Sequence, residues 1–473
     1  MSLGLASIAL VWCAAASGQE VSRLSRVEAM QVAVERNYQV LVGGLERDVA
    51  VLGAEGAGRG FVPVVYAEAG YEDQAPFDAA MDRRRTVGYG GGLRWSTRVG
   101  TSLDASVRAD DTLGAGGGGS RASVGVSATQ ALLRGAGESG AAATVVEAEL
   151  EARAAEEVFR ARINRFLVDV ERAYQELAFA QADLEIKTRS RDRAQQQYED
   201  TRENIRRGLL AESDVYIVEE NVVIFEQLLV SARENLAVAR QSLARLLRYE
   251  AGAPVEATDP MELPSGGLPG ADEAVERGLL ANPELAVARL AVDRAEVSLA
   301  FESNQRLPTL DVMGTLRLNG LGASPAPAWQ ESVSAGRPEW AVGLTFEVPL
   351  DRGPDGARVE RVSLGKQSQV LALKDAEQSV AFEVRTRLVQ LDSQLERLKL
   401  AERRRELAGL KLEAEQDKYK NGIATLADVV RFQRELDTSL IEIRRLLVNI
   451  WVTRAQLLSA QGNLHETVGI EVR

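Results

Sequence analysis

Cysteine and histidine are almost missing from this 473-residue chain, which has one of each, Cys13 and His465. A single cysteine forms no intramolecular disulfide. Zinc sites and Ser-His or Cys-His catalysis have almost nothing to work with. A basic surplus is missing too: 56 Lys and Arg stand against 69 Asp and Glu, a formal charge of −13. That balance argues against a nucleic-acid binder and otherwise mostly reports solubility. After the first residues no apolar run approaches the ~20 residues of a spanning helix, so a chain of this kind crosses a bilayer only as strands. Phosphate loops are absent as well. "GAGGGGS" is followed by no Lys-Ser/Thr pair, and "SLGKQS" lacks both the upstream glycine spacing and a hydroxyl after Lys366.

The start, "MSLGLASIALVWCAAASGQE", has an apolar core from Leu3 to Val11 followed by small residues. It is expected to be a signal peptide over residues 1–18, cut after Ala16 or Gly18, although its first residues carry no Lys or Arg. Cys13 raises a lipoprotein option. Trp12 stands before it where a small residue is expected, so Cys13 is expected to leave with the signal.

What the sequence does have is itself, twice. "EAMQVAVERNYQVLVGG…" and "DEAVERGLLANPELAVARL…" each open with a short helix, then an asparagine cap (Asn37, Asn282), a second helix, a proline (Pro63, Pro308) and strand-like runs. Residues 19–249 form the first repeat and 272–473 the second. The Pro- and Gly-rich 250–271 is read as a linker or surface loop. Strands are expected over about 63–131 and 308–350. Leu310, Val312, Leu316 and Leu318 share one face and Asp311, Thr315 and Arg317 the other; Trp340, Val342, Leu344 and Phe346 alternate in the same way. Such alternation suits a soluble sandwich or a membrane barrel with lipid outside and water inside. The first repeat carries an extra hairpin, with Trp95 to Gly100 read as its turn. "GLGASPAPAWQESVSAGR", "EDQAPFDAAMDRRR" and "DDTLGAGGGGS" read as exposed loops.

Each repeat then enters a proline-free stretch from about 138 to 206 or 355 to 420. Phe159, Ile163, Phe166, Val170, Ala173, Leu177, Ala180 and Leu184 are spaced four and three throughout, as are Ala381, Val384, Leu388, Leu391, Leu395 and Leu398. That is the seam of a coiled coil. Each long helix reaches about 100 Å. The return helices, about 212–249 and 425–461, cover little more than half that length, and stacking end to end on the helices before the strands supplies the rest. The predicted class is mainly α with β: long antiparallel helical hairpins, strands and an internal two-fold repeat.

Both hairpins turn at a glycine followed by an aliphatic residue, Gly208–Leu209 and Gly422–Ile423, with an aspartate six residues past the glycine (Asp214, Asp428). Glycine accepts the left-handed conformation that ends a helix. Thr425 with Asp428 reads as a capping box, and Ser213 or Glu212 as the other cap. The aspartates are at least helix-start acids. Seams and a two-faced sheet left open call for oligomerisation.

In this order, "NPEL…RLPTL", "VSATQALLRG", "GLTFEVPLDRG" and "YKNGIATLADVV" resemble the outer-membrane efflux protein family of TolC type over nearly the whole mature chain. The resemblance implies a homotrimer whose strands, four per chain in the family, form one β-barrel in outer-membrane lipid. Its helices form an α-barrel in the periplasm. It implies no cofactor, no metal and no enzymatic role, a constricted entrance at the tips, and docking there of a periplasmic adaptor and an inner-membrane transporter. Asp428 matches an aspartate ringing that entrance, and Arg431 stands where some members have a second acid. Tyr419 and Asp214 match partners in a hydrogen bond that holds the entrance shut, while Ala424 replaces a basic residue that assists them. Gly208, Leu209, Gly422 and Ile423 match the grooves that receive adaptor helices. The alternative is a periplasmic coiled-coil adaptor or scaffold, against which the doubled hairpins and strands speak.

Overall fold

The computed structural model describes residues 21–74, 84–113, 119–334, 337–351 and 353–470. The expected signal peptide with Cys13, and the centres of the loops around 72–85 and 110–120, lie outside the described residues. In the first repeat the order is β1 (Ser22–Leu24), α1 (Arg26–Arg36), α2 (Tyr38–Gly58), β2 (Val64–Gln74), β3 (Arg84–Ser96), β4 (Thr101–Leu113), β5 (Gly119–Ala131), α3 (Ala143–Arg206) and α4 (Asp214–Leu246). Strand β6 (Val255–Ala257) lies between the repeats. The second repeat follows as α5 (Ala271–Ala281), α6 (Pro283–Gln305), β7 (Thr309–Gly322), α7 (Pro325–Val333), β8 (Arg337–Glu347), α8 (Gly353–Lys420), α9 (Leu426–Ala460) and α10 (Leu464–Thr467). The doubled pattern and the long hairpins are as the periodicity predicts. The chain divides into two compact units, one holding 21–41, 161–282 and 380–470, the other the remaining described residues.

The helical unit is built on the seams. In α3, Ile163, Phe166, Val170, Leu177 and Ala180 are buried, as is Phe159 in the other unit; in α8, Val384, Leu388, Leu391 and Leu398 are buried. Two matched hydrogen bonds tie the asparagines of the two repeats to the return helices. Asn37 donates its side-chain amide to the carbonyl of Leu246 at 3.1 Å, and Asn282 donates to Ala460 at 2.8 Å. Each asparagine thus binds the last turn of a return helix. Asn37 also accepts from the backbone of Gln39, so it caps α2 as well. The segment 250–271 is tied down rather than loose. Strand β6 pairs in parallel with β1, and Arg444 and Trp451 of α9 donate to the carbonyls of Met261 and Glu262. His465 is buried and its ring meets the Asn164 carbonyl oxygen at 3.1 Å.

The other unit carries one sheet of order β2-β3-β4-β5-β7-β8, antiparallel throughout. Register keeps the two faces apart across all six strands. Val65, Leu93, Ala105, Val126, Leu316 and Trp340 form one apolar row. One residue along, Tyr66, Gly92, Ser106, Gly125, Arg317 and Glu339 form a polar row on the opposite face.

Two loop expectations are corrected. The extra hairpin turns at Thr97–Gly100, because Trp95 and Ser96 still pair with Leu103 and Ser102. "GLGASPAPAWQESVSAGR" is not a plain loop. Pro325 sits at the first helical position, where its missing N–H costs nothing, and starts α7. Helix α7 buries Ala328 against Ala109 and Ala122, with Trp329 alongside. Its Pro, Ala, Gly and Ser composition concealed a short helix that tertiary packing stabilises.

Candidate functional site

The two tips use one backbone device. Gly208 has φ +75° and Gly422 φ +73°. At the first tip Leu209 N–H donates to Asn204 and Gly208 N–H to Ile205; at the second Ile423 N–H donates to Lys418 and Gly422 N–H to Tyr419. Both are Schellman endings, with glycine taking the left-handed position. Nothing lies within 4 Å of a Cβ built on either glycine, so backbone conformation alone demands it. Leu209 and Ile423 are exposed beside them, the latter at 77 %.

Past the turns the tips differ. At the start of α9, Asp428 N–H donates to Thr425 Oγ1 at 3.2 Å, Thr425 Oγ1 donates to the Asp428 carboxylate at 2.6 Å, and the capping box is complete. The Thr425 hydroxyl is the main reason the Asp428 carboxyl sits below the ordinary aspartate range; the Thr425 backbone N–H, Arg431 and Lys418 add to it. Arg431 pairs with Asp428 at 3.1 Å, so the acid expected at the entrance faces a base of its own helix. Asp214 occupies the first turn of α4, but Ser213 has helical backbone angles and makes no side-chain cap. The expected cap from Ser213 is therefore absent. A residue already wound into the helix cannot turn its side chain back onto the first free N–H groups.

Tyr419 feels the charge of Asp214. Burial raises the Tyr419 phenol first, and the charge of Asp214 raises it further. Among the described residues, however, no hydrogen bond joins them; the contact is one of charge.

Hydrogen bonds between the hairpins lie farther along the helices, at residues the sequence reading missed. Asp437 of α9 is buried and accepts from Ser190 Oγ at 2.6 Å and from Arg193 at 2.7 Å, both on α3. Arg434 of α9 donates twice to the side-chain oxygen of Asn221 on α4, at 3.0 and 2.8 Å. Asn221 is itself buried. A signal was present: Asn221 stands three residues after Val218 and four before Phe225, and Asp437 seven after Val430, so both are polar residues in seam register.

The helical unit also has two open flanks. Along α4, Tyr216, Val223 and Val230 are exposed at seven-residue steps; along α8, Phe382, Val389, Leu400 and Leu407 are exposed on one stripe. Residues 214–234 carry five acids against one base, and residues 397–411 six bases against two acids. The two stretches lie at similar distances from their respective tips.

Residues 274–463 match the sequence model of the family described as outer membrane efflux protein. No curated protein matches in sequence. Several solved structures match over nearly their whole length. The Campylobacter jejuni CmeC outer membrane channel is 13% identical with TM-score 0.66, over 92% of this chain and 85% of that one. The open state of the Neisseria gonorrhoeae MtrE outer membrane channel is 15% identical with TM-score 0.66, over 95% and 93%. The Vibrio cholerae outer membrane protein VceC is 14% identical with TM-score 0.64, over 92% and 96%. The chain thus resembles the outer membrane efflux protein family in the sequence of its second repeat, and has the fold of these outer-membrane channels along almost its whole length.

Proposed function

We propose that copies of this chain, three as in the resembled family, form a passive exit duct through the outer membrane. It would be closed at its periplasmic tips and opened when an inner-membrane pump and its adaptor dock there. The observation that carries this reading is the sheet. Its apolar face runs across six strands, is covered by α7 at Ala109 and Ala122, and is otherwise largely open, with Trp340, Val342, Leu344 and Phe346 all exposed. Strands of 11 to 14 residues are long enough for a bilayer when tilted. The polar face would line water. Among the described residues, edge strands β2 and β8 have no partner on their outer sides, and closing the sheet with further copies removes those edges.

The helices support the same reading. The acidic, apolar-striped flank of α4 and the basic, apolar-striped flank of α8 complement each other, and they lie on different helices. A contact between them is head to tail, the kind that closes rings. Gating follows from differential contacts: an adaptor that binds the open tips better shifts the population towards them. Leu209 and Ile423 offer apolar footing for such a partner. In the closed state the Asp437–Ser190–Arg193 and Arg434–Asn221 bonds hold the second hairpin to the first. Transport energy would come from the pump.

Membrane fractionation tests the reading. The chain should be extracted from outer membranes as a heat-modifiable trimer that conducts ions in planar bilayers. Soluble periplasmic material without conductance would make it a scaffold instead.

A further inference from the structure

We infer that the hairpin β3–β4 is part of the membrane wall, so that each copy supplies six strands and a trimeric barrel has eighteen, half again the twelve implied by the resemblance. The inference rests on the duct reading above. It starts from strand order. Strands β3 and β4 stand between β2 and β5, with 11 residue pairs to β2, 12 within the hairpin and 12 to β5. A hairpin set aside at the rim would leave β2 paired to β5, and these two strands are separated along their whole paired length. The hairpin is also in phase with the rest of the wall. Leu93 and Val107 lie on the apolar face and are exposed, as Val126 and Leu316 are.

The polar side of the hairpin is built for clearance. Positions 88, 90 and 92 of β3 all lie on the polar face, and all are glycine. A Cβ at Gly92 would stand 2.5 Å from the Ala105 carbonyl oxygen and 2.9 Å from the Tyr66 ring; one at Gly90 would stand 2.7 Å from the Val107 carbonyl oxygen. Backbone crowds this stretch of β3 on both faces, since a Cβ at Gly91 on the apolar side would stand 2.7 Å from the Tyr66 carbonyl oxygen, and only glycine fits. Side chains from both flanks use the cleared floor. Tyr66 of β2 reaches across β3 to donate to Asp104 of β4 at 3.2 Å, and Arg108 of β4 reaches back to Glu68 of β2 at 3.4 Å. They lie along the wall instead of standing into the lumen. A concavity of about 590 Å³ on this face is lined from all six strands, by residues including Tyr66, Arg108, Arg317 and Arg337.

Strand spacing sets the bore. Strands ~4.8 Å apart and tilted by ~40° take up ~6.3 Å of circumference each, so twelve make a wall ~24 Å across and eighteen one ~36 Å across, backbone to backbone. The sheet end is then no sieve for the cargo. Any size limit then sits in the helical part, towards the tips.

Two measurements test this on the full chain with Cys13→Ser. In proteoliposomes a charged, impermeant maleimide should label Ser106→Cys readily and Leu93→Cys at least tenfold more slowly, because Leu93 faces lipid. Equal labelling would put the hairpin outside the membrane and overturn the inference. In planar bilayers, polymers added from the sheet side should enter the intact protein up to about 1.5 times the radius admitted by a variant lacking residues 84–113. Equal cut-offs would also overturn it. If that variant does not fold, the labelling on the full-length chain still decides. A chain missing from the outer-membrane fraction would overturn the duct reading first, whereas a membrane trimer with a reactive Leu93→Cys would overturn only the eighteen-stranded wall.

Discussion

Replacing Asp437 by alanine should open the tips. Asp437 holds α9 to α3 through Ser190 and Arg193 at 2.6 and 2.7 Å, and it is only 6 % exposed. A hydrogen bond to a charged group is worth about 1.5–3 kcal/mol. The two do not add in full. Ser190 keeps a second bond to the Ile186 carbonyl at 2.9 Å, and the Arg193 side chain, 45% exposed, regains water. Discounted in this way, the loss is about 2–3 kcal/mol. If the bonds exist only in the closed state, that shifts the closed-to-open ratio by roughly 30- to 150-fold. Single-channel recording in planar bilayers reads this as a rise in conductance and open time. Asp214→Asn and Tyr419→Phe are the comparison: with no hydrogen bond between them, each should move the ratio by less than tenfold. A thermal midpoint that falls for Asp437→Ala while conductance stays unchanged would refute the reasoning, because it would show that the bonds survive opening.

Three further outcomes are expected. Gly422→Ala forces an L-residue into the left-handed region at a cost of about 1–2 kcal/mol, and Gly208→Ala should cost the same; faster hydrogen exchange at the two tips, with no change along the middle of α8, checks this. Reversing Arg397 and Arg405 to Glu should weaken assembly, and reversing Glu219 and Glu226 to Arg in the same chain should restore it, read as the trimer fraction on mild gels at low and high salt. Asp428 titrates below the ordinary aspartate range, so its contribution to the start of α9 is complete above the unfolded-state pKa and is lost only as pH falls through the lower folded one. Thr425→Ala removes the main cause, and fraying of residues 425–432, followed by pH-dependent hydrogen exchange, should then begin at a higher pH.

How much of this is legible in the sequence depends on whether the cause is local. Seams spaced three and four, strands alternating by two, and glycines at helix ends are local patterns, and the long hairpins, the two-faced strands and both Schellman turns follow from them. Helix α7 was hidden because its stability comes from Ala328 meeting Ala109 and Ala122, more than 200 residues upstream. The missing cap at Ser213 turns on backbone angles that the residue type leaves open. The bonds at Asn221 and Asp437 were written in the chain as polar residues in apolar register, but their partners lie on other helices. A polar side chain at a seam position is costly when buried unpaired and specific when paired. Each such residue therefore marks a place where one helix must find one neighbour in one register. The side-chain bonds that tie the two hairpins together fall at those positions, set back from the tip residues Asp214 and Tyr419. In the proposed gate the exposed tips stay available to a docking partner while the strength of closure is set farther along the helices.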